Sequence, residues 1–448
     1  MQLQKTGCAR KLGSTTIAAI STALGHSGIA VIRISGPDAV NVARRLVKRQ
    51  DFPEAGRMYL TSLLDSSGLV IDRVLAVHFA RGKSYTGEDV VEIHTHGGMF
   101  AARSCLELAF RNGAVPAEPG EFTRRAFVNG RIDLSQAEGV LSLIQAKSQE
   151  ALRAAARTLT GEFSRKARKI HDEILTLQGN LEIQLDFPEG ESFSGDISTE
   201  LAGVISELEE LISQCSAGMI LREGLRVVIA GRPNAGKSSL MNALLGRNRA
   251  IVTDIPGTTR DIIEDGLIIE GVPMRLMDTA GLRKADDVIE AEGVRLALEA
   301  LSEGDICLYV IDASTGLTDE DRDYLCGSNV IAVLNKSDLP CVIDEEIPAQ
   351  TVRVSAKTGM GIDELKAAVY EKACGDSAMS SGLNVSAGQL EELRGSLQAL
   401  REAGDSLLSE DVAAGLLGSA RLGLLRILGV DAGDELLDSM FSRFCVGK

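Results

Sequence analysis

Arg226-Val227-Val228-Ile229-Ala230-Gly231-Arg232-Pro233-Asn234-Ala235-Gly236-Lys237-Ser238-Ser239 reads as strand, glycine loop and helix. Val227 to Ala230 is an apolar run long enough for a buried strand. Gly231 to Ser238 fits G-x-x-x-x-G-K-[ST]. In that pattern the glycines let backbone N–H groups turn inward around phosphate oxygens, the lysine supplies a point charge to the outer phosphates, and the hydroxyl ligates magnesium. Ser239 to Leu245 continues as a helix whose N-terminus faces the anion. The flanking strand and helix set this stretch apart from a chance glycine turn.

Downstream, Thr253-Asp254-Ile255-Pro256-Gly257-Thr258-Thr259-Arg260-Asp261 offers threonines whose hydroxyl can reach magnesium when a γ-phosphate is present. Met274 to Gly281 is a strand ending in D-x-x-G, Asp278-Thr279-Ala280-Gly281. Asp278 stands where a carboxylate supports the magnesium shell, and the Gly281 N–H stands where it reaches the γ-phosphate. Val330 to Leu334 leads into Asn335-Lys336-Ser337-Asp338. An aspartate there accepts two hydrogen bonds from the guanine edge that adenine cannot donate, and a site left with unpaired acceptors rejects the wrong base. Ser355-Ala356-Lys357 closes the base pocket. Five elements in this order predict a guanine-nucleotide site in an α/β domain with a mainly parallel sheet, spanning about Leu221 to Cys374.

In Ras-like proteins a glutamine after the D-x-x-G glycine orients the attacking water. Here Leu282 follows Gly281, and leucine cannot polarise water. The acids just downstream are Asp286, Asp287, Glu290 and Glu292, and the residues alone do not choose among them. No arginine finger is evident either. A monovalent cation beside the phosphates would replace that charge, and Asn234 offers it a neutral carbonyl ligand.

Before this segment, residues from about Thr15 to Arg131 mix strands (Ile29 to Ile34, Val70 to Phe79, Asp89 to His94) with helices (Asp38 to Lys48, Met99 to Asn112), an α+β pattern. His94 and His96 share one strand face, a spacing compatible with metal but lacking a third ligand at a telling distance. From Ile132 the apolar positions recur at three- and four-residue steps through Leu185, predicting one or two long helices that Gly161 and Gly179 weaken without ending. Leu201 to Ile212 predicts another. Helices return at Ser386-Ala387-Gly388-Gln389, a capping box, and run through Val412 to Leu428 and Asp434 to Phe444. Helices on both sides of an α/β unit predict a bundle with a domain inserted in it.

The chain has 448 residues, 44% hydrophobic and 25% charged, with no tryptophan. That composition is ordinary for a globular protein and predicts roughly two to four domains. A net charge of −16 excludes a broad basic face, so any nucleic acid is held at a small local patch or by a partner. The eight cysteines form no C-x-x-C pair and read as reduced intracellular thiols. No apolar run approaches a membrane span. The early basic bias of Lys5, Arg10, Lys11 and Arg33 is transit-peptide-like, but the strands that follow favour a folded start and a cytoplasmic protein.

Gly231 to Ser239, Asp254 to Asp261 and Asp278 to Arg283 resemble the MnmE (TrmE) tRNA-modification GTPases, and also the related Era and EngA ribosome-assembly GTPases. Thr86-Gly87-Glu88-Asp89, His96-Gly97-Gly98, Pro119-Gly120-Glu121-Phe122-Thr123, Asp133 to Glu138 and the terminal Phe444-Cys445-Val446-Gly447-Lys448 resemble MnmE specifically. The resemblance implies a Ras-like P-loop G domain (221–375) inserted in a discontinuous helical bundle (132–220 and 376–448). An α+β, aminomethyltransferase-like folate-binding and dimerisation domain (1–131) precedes them. It implies a cytoplasmic homodimer working on tRNA with an MnmG-like FAD/NADH flavoprotein. Together they would place an aminomethyl or carboxymethylaminomethyl group at C5 of the wobble uridine, with 5-formyl- or methylene-tetrahydrofolate as one-carbon donor.

Residue by residue, the resemblance implies GTP binding by Asn234, Ala235, Gly236, Lys237, Ser238, Ser239, Thr253 to Thr259, Asp278 to Gly281, Asn335 to Asp338 and Ser355 to Lys357. Potassium would fall to Asn234, Thr253, Ile255 and Thr258, and magnesium to Ser238 and Thr259. Glu290 falls on the catalytic acid. Arg33, Glu92, Arg131 and Lys448 match the folate-contacting positions, and Cys445 a terminal cysteine important for modification. Three departures stand out. Ala23 to Gly28 lacks the usual proline-glycine start, Val446 replaces isoleucine or leucine, and Asp286 to Glu290 differs from the usual run of acids. The rivals are an Era/EngA-like ribosome-assembly GTPase, against which the acidity and the terminal Cys445 to Lys448 count, and a non-catalytic switch, which Leu282 would suit.

Overall fold

The computed structural model describes residues 14–23, 25–47, 54–186, 197–246, 266–278, 305–374, 379–407, 409–430 and 434–448. Contacts divide the chain into two units, Met1–Ala137 with Leu425–Lys448, and Glu138–Leu424.

In the first unit, β1 (Ile17–Ile20), β2 (Ser27–Ser35), β3 (Met58–Leu64), β4 (Val70–Phe79), β5 (Val90–Gly97) and β6 (Val115–Pro116) form one sheet in the order β3-β4-β5-β2-β1-β6. Its pairs are antiparallel except β1 with β6. Strand alternation decides the faces. Ala30, Ile32 and Ile34 of β2 are buried, while Val31 and Arg33 between them are half-buried. Helices α1 (Ala39–Leu46) and α2 (Met99–Arg111) pack Val42, Leu46, Cys105 and Ala109 against Ile32, Ile34, Val91 and Ile93. Each fully buried Val, Leu or Ile among them contributes roughly 1.5–3 kcal/mol. Ile17 and Ala19 face a second small core around Phe122 of α3 (Glu121–Val128). Strand β3 does not stand out in the sequence because it lies at the sheet edge and exposes Met58 and Leu60 while burying Leu63.

In the second unit, β7 (Leu225–Gly231), β8 (Gly266–Ile269), β9 (Val272–Asp278), β10 (Ile306–Asp312), β11 (Val330–Asn335) and β12 (Gln350–Arg353) form a sheet in the order β12-β11-β10-β7-β9-β8. It is parallel apart from the β8–β9 hairpin. The central β7 is buried from Val227 to Ala230, as its unbroken apolar run requires.

The helical run after Ile132 is three helices, not one or two: α4 (Leu134–Gln145), α5 (Gln149–Leu159) and α6 (Glu162–Asp186). Ser148 caps α5 by accepting from the Ala151 N–H at 3.1 Å. Gly161 does more than weaken the pattern. It takes φ +79° between α5 and α6, a left-handed turn that an α-helix cannot continue through. Helix α7 (Ile197–Glu223) outruns the expected Leu201 to Ile212, because Leu201, Val204, Leu208, Leu211, Cys215 and Leu221 keep a single buried stripe.

The two ends of the inserted α/β segment lie side by side. α7 leads straight into β7, and the segment that leaves the α/β part donates Leu383 N–H to Gln214 O at 3.0 Å and Asn384 N–H to Thr158 Oγ1 at 2.9 Å. Gly218 of α7 has no room for a Cβ beneath Leu383. The expected capping box of Ser386 and Gln389 then starts α11 (Ala387–Asp405), following α8 (Lys237–Leu245), α9 (Asp319–Leu325) and α10 (Ile362–Cys374), and α12 (Glu410–Ile427) and α13 (Asp434–Phe441) complete the series. Among the described residues no helix is long and apolar enough to cross a membrane.

Candidate functional site

The loops that follow β7, β10, β11 and β12 leave the carboxyl ends of parallel strands, where open α/β sheets bind ligands. After β7, Gly231 takes φ +138°, Asn234 φ +64° and Gly236 φ +96°. A Cβ on Gly236 would run into the Asn335 side chain. Lys237 Nζ folds back to donate to Gly231 O at 2.8 Å and Arg232 O at 2.9 Å. Ser238 and Ser239 are exposed in the first turn of α8, where backbone N–H groups lack helical partners. A ring of N–H donors, a lysine and a hydroxyl is an anion cradle with a position for a divalent ion.

Asn335 is a strut between loops. It is buried, its Nδ2 donates to Ala235 O at 2.9 Å, and its Oδ1 accepts from the Ala356 N–H at 3.1 Å. It therefore ties the phosphate loop to the Ser355-Ala356-Lys357 loop. Lys336, at φ +62°, pairs with Asp312 Oδ2 at 2.6 Å. Burial alone would raise the Asp312 carboxyl, but hydrogen bonds from Lys336 and Ser314 outweigh it and hold the carboxyl below its ordinary value. Ser337 N–H donates to Val354 O at 3.1 Å. Ser355 Oγ donates to Asp338 Oδ1 at 2.7 Å, and this bond is the largest cause holding the Asp338 carboxyl below its usual range. Asp338 is exposed and anionic, and it remains an acceptor for a donor edge. Lys357 is exposed beside it.

Asp278 closes β9 level with Ile229 of β7. Thr253, Asp254, Ile255, Pro256, Gly257, Thr258, Thr259, Thr279, Ala280, Gly281 and Glu290 lie outside the described residues.

One part of this end of the sheet escapes motif reading. Arg232, inside the phosphate loop, donates to Gly316 O at 2.6 Å and stands 3.1 Å from Asp321 Oδ2. Asp321 is fully buried; it accepts from Tyr309 Oη at 2.9 Å and from the N–H and hydroxyl of Thr318 at 2.8 and 2.9 Å. Burial, then Asp321, push the Tyr309 phenol up. The signal in the sequence was Thr318-x-x-Asp321, a capping-box spacing at the start of α9.

A second constellation lies in the first unit. The β2–β5 register sets Arg33 opposite Glu92, and Arg33 Nε donates to Glu92 Oε1 at 2.9 Å. The Arg33 guanidinium lies 5.9 Å from the Tyr85 ring centroid and 5.6 Å from that of Phe122. Its Nη1 reaches Gly447 O at 3.5 Å, and Ser21 Oγ donates to the same carbonyl at 3.0 Å. The tail is held along its backbone: Pro119 pairs with Val446, and Phe122 N–H donates to Lys448 O at 3.2 Å. Gly447 takes φ +97° against the Ile20 carbonyl, where no side chain fits. Lys448 is half-buried and Cys445 exposed. Arg131 borders the loop carrying Tyr85, its Cγ 3.2 Å from where a Cβ on Gly87 would stand. A guanidinium and a carboxylate paired beside the Tyr85 ring suit a flat polar ligand with an acidic end. Phe122 and Gly447 stand inside quoted motifs, but nothing local shows that they and Tyr85 meet Arg33; Arg33 and Glu92 are neighbours only through strand register.

His94 Nε2 lies 3.4 Å from Glu92, and His96 Nδ1 2.6 Å from Asp72. Among the described residues no cluster of three metal-ligating side chains forms.

A family model for the "MnmE helical domain" matches residues 134–445, and one for the "GTP-binding protein TrmE N-terminus" matches residues 16–131. A tRNA modification GTPase MnmE of Symbiobacterium thermophilum is 44% identical over 98% of this chain and 100% of its own length. Those of Geobacter sulfurreducens and Carboxydothermus hydrogenoformans are 42% and 41% identical over 97% of this chain and 99% of theirs. Of solved structures, the G domain of the T. maritima FeoB iron transporter is 26% identical over 33% of this chain and 98% of that one. Its TM-score of 0.23 is too low for the superposition to carry weight.

Proposed function

The chain belongs to the MnmE (TrmE) family of tRNA modification GTPases, and from that premise we propose that it couples GTP hydrolysis to modification of the wobble uridine of certain tRNAs. The observation that carries the reading is the presence of two groupings in one chain of family length: the sheet end braced by Asn335 and carrying Asp338, and the Arg33–Glu92 pair that meets the terminal Gly447 carbonyl.

In this reading the division is 1–131, 132–220, 221–375 and 376–448. Asn234 to Ser239, Thr253 to Thr259, Asp278 to Gly281, Asn335 to Asp338 and Ser355 to Lys357 bind GTP. Ser238 and Thr259 hold magnesium, and the exposed Ser238 hydroxyl at the helix start fits that part. Asn234, with Thr253, Ile255 and Thr258, holds potassium. Asn234 is exposed in a left-handed turn of the loop, and its side-chain carbonyl is the neutral oxygen such an ion takes. Potassium, when bound, supplies the charge that an arginine finger supplies elsewhere. Glu290 orients or activates the water that Leu282 cannot. Arg33, Glu92, Arg131 and Lys448 hold a tetrahydrofolate derivative, with the half-exposed Tyr85 ring beside Arg33 as an apolar contact, and Cys445 acts in the modification chemistry. The partners are a second copy of the chain, an MnmG-like flavoprotein and tRNA, in the cytoplasm.

The deciding experiment is mass analysis of wobble uridines from cells lacking the protein. Loss of the C5 substituent is expected, and an unchanged nucleoside profile overturns the reading. GTP turnover faster in potassium than in sodium is expected, and equal rates remove the cation proposal. Glu290→Ala should bind GTP normally and hydrolyse it far more slowly; a near-normal rate moves the role to Asp286, Asp287 or Glu292. The family match extends over both segments outside the α/β part, which favours this reading over ribosome assembly.

A further inference from the structure

We propose that the outer face of α5 and the first half of α6 is the surface on which an RNA phosphate backbone docks, a proposal that rests on the tRNA-modification reading above. Residues 147–169 carry seven basic and two acidic side chains, a net +5 inside a chain of net −16. The positive stretch is bounded: residues 170–186 hold four acids and no lysine or arginine. Lys147, Arg153, Arg165, Arg168 and Lys169 are exposed.

The pairing within the patch is uneven in a way that suits an anion. Arg153 meets Glu150 at 3.6 Å, Lys166 meets Glu162 at 3.4 Å, and Lys169 meets Glu207 at 2.6 Å. Such solvent-screened surface pairs are weak and exchange readily for phosphate. Arg157 and Arg165 are held differently. Arg165 Nη1 donates to Thr160 O at 2.9 Å, and Arg157 donates to Ser380 O. Carbonyl oxygens orient a guanidinium without cancelling its charge. Both arginines flank the corner that Gly161 makes between the two helices, and Thr160 Oγ1 donates to Arg157 O at 2.9 Å to tighten it. Two oriented, uncancelled guanidiniums at a rigid corner, with further cations on either side, fit a run of phosphates better than a single small anion. This is the small local patch that the chain's overall acidity demands of a nucleic-acid site.

The test uses the full chain and an unmodified tRNA transcript, with affinity measured across a range of potassium chloride concentrations. Each phosphate contact contributes about 0.7–0.9 to the slope of log K against log salt. The triple variant Arg153→Gln, Arg165→Gln, Arg168→Gln should bind at least about tenfold more weakly at low salt, with a slope shallower by about 2, while GTP turnover stays at the wild-type rate. A control variant neutralising Arg44, Arg45 and Arg111, exposed on the first unit, should keep the wild-type slope. An unchanged slope in the α5–α6 variant, or an equal loss in the control, overturns the surface. Unaltered wobble uridines in cells lacking the protein overturn the functional reading instead, so the two failures are told apart.

Discussion

The carboxyl end of the parallel sheet and the Arg33–Glu92 cluster are assembled in opposite ways. At the sheet end, each strand delivers a few consecutive residues, and the backbone itself is the ligand surface: Gly231, Asn234 and Gly236 at positive φ, and Asn335 bracing one loop against another. In the cluster, five separate places in the chain each deliver one group. Arg33, Tyr85, Glu92, Phe122 and Gly447 meet only because β2 pairs with β5 and the tail returns to β1. A site made of consecutive backbone is as robust as its glycines. A site made of distant side chains is as robust as the fold that gathers them.

Two glycines test that contrast directly. Gly236→Ala puts a Cβ at φ +96° into the Asn335 side chain. Strain of roughly 1–3 kcal/mol adds to the loss of the strut, so GTP affinity should fall about 100-fold or more, with the first unit's stability untouched. Gly447→Ala makes the same demand on the tail, at φ +97° against the Ile20 carbonyl. It should free the tail and, on the proposed folate reading, lower tetrahydrofolate affinity about tenfold while GTP affinity stays put. Isothermal titration with each ligand reads both. Cross-talk, in which either variant weakens the other ligand as much as its own, breaks the comparison.

Asp321→Asn is expected to have a smaller effect. The buried carboxylate serves Tyr309 and Thr318 and faces Arg232 of the phosphate loop. An amide has one acceptor oxygen where the carboxylate has two, so one buried bond is lost, at about 1–3 kcal/mol. The variant should melt earlier and release GTP faster, with guanine-over-adenine preference intact because Asp338 is not involved. Wild-type nucleotide release would show that the α9 anchor is independent of the loop it touches.

The same contrast explains what was legible in the sequence. Gly231 to Ser239 and Asn335 to Asp338 are local, so spacing alone assigned them a chemistry and placed the strand, loop and helix that the structure shows around them. The helical segments showed their periodicity, yet Gly161 was read as a weak point within a helix and is a corner between two, because sequence gives a propensity and not a φ angle. β3 stayed hidden at a sheet edge, where burial imposes little alternation on Met58 to Leu64. Arg232 and Asp321 lie 89 positions apart, and nothing in either local stretch announces the other. The Arg33 site became visible only through family resemblance, since strand register and a returning tail have no local signature.

The finest test of the sheet end is its dependence on pH. Ser355 Oγ donates to Asp338, and that bond is the largest cause holding the carboxyl below its ordinary 3.8. A depressed carboxyl favours the folded, charged form. Its contribution is fully present above the ordinary value and is lost as pH falls through the depressed one. In the role proposed for Asp338, guanine capture needs the same charged form as acceptor, so GTP affinity should follow that lower titration. Ser355→Ala removes the donor and moves the Asp338 titration upward, toward 3.8. The variant should then begin to lose GTP affinity at a higher pH than the wild type as the buffer is taken from about pH 6 toward pH 3, with far-UV signal monitored to show that the fold persists. Asp338 is exposed, and solvent screens much of the interaction, so this is the smallest of the expected effects. Coincident curves for the two proteins would mean that Ser355 shapes the pocket without tuning the acid that reads the base.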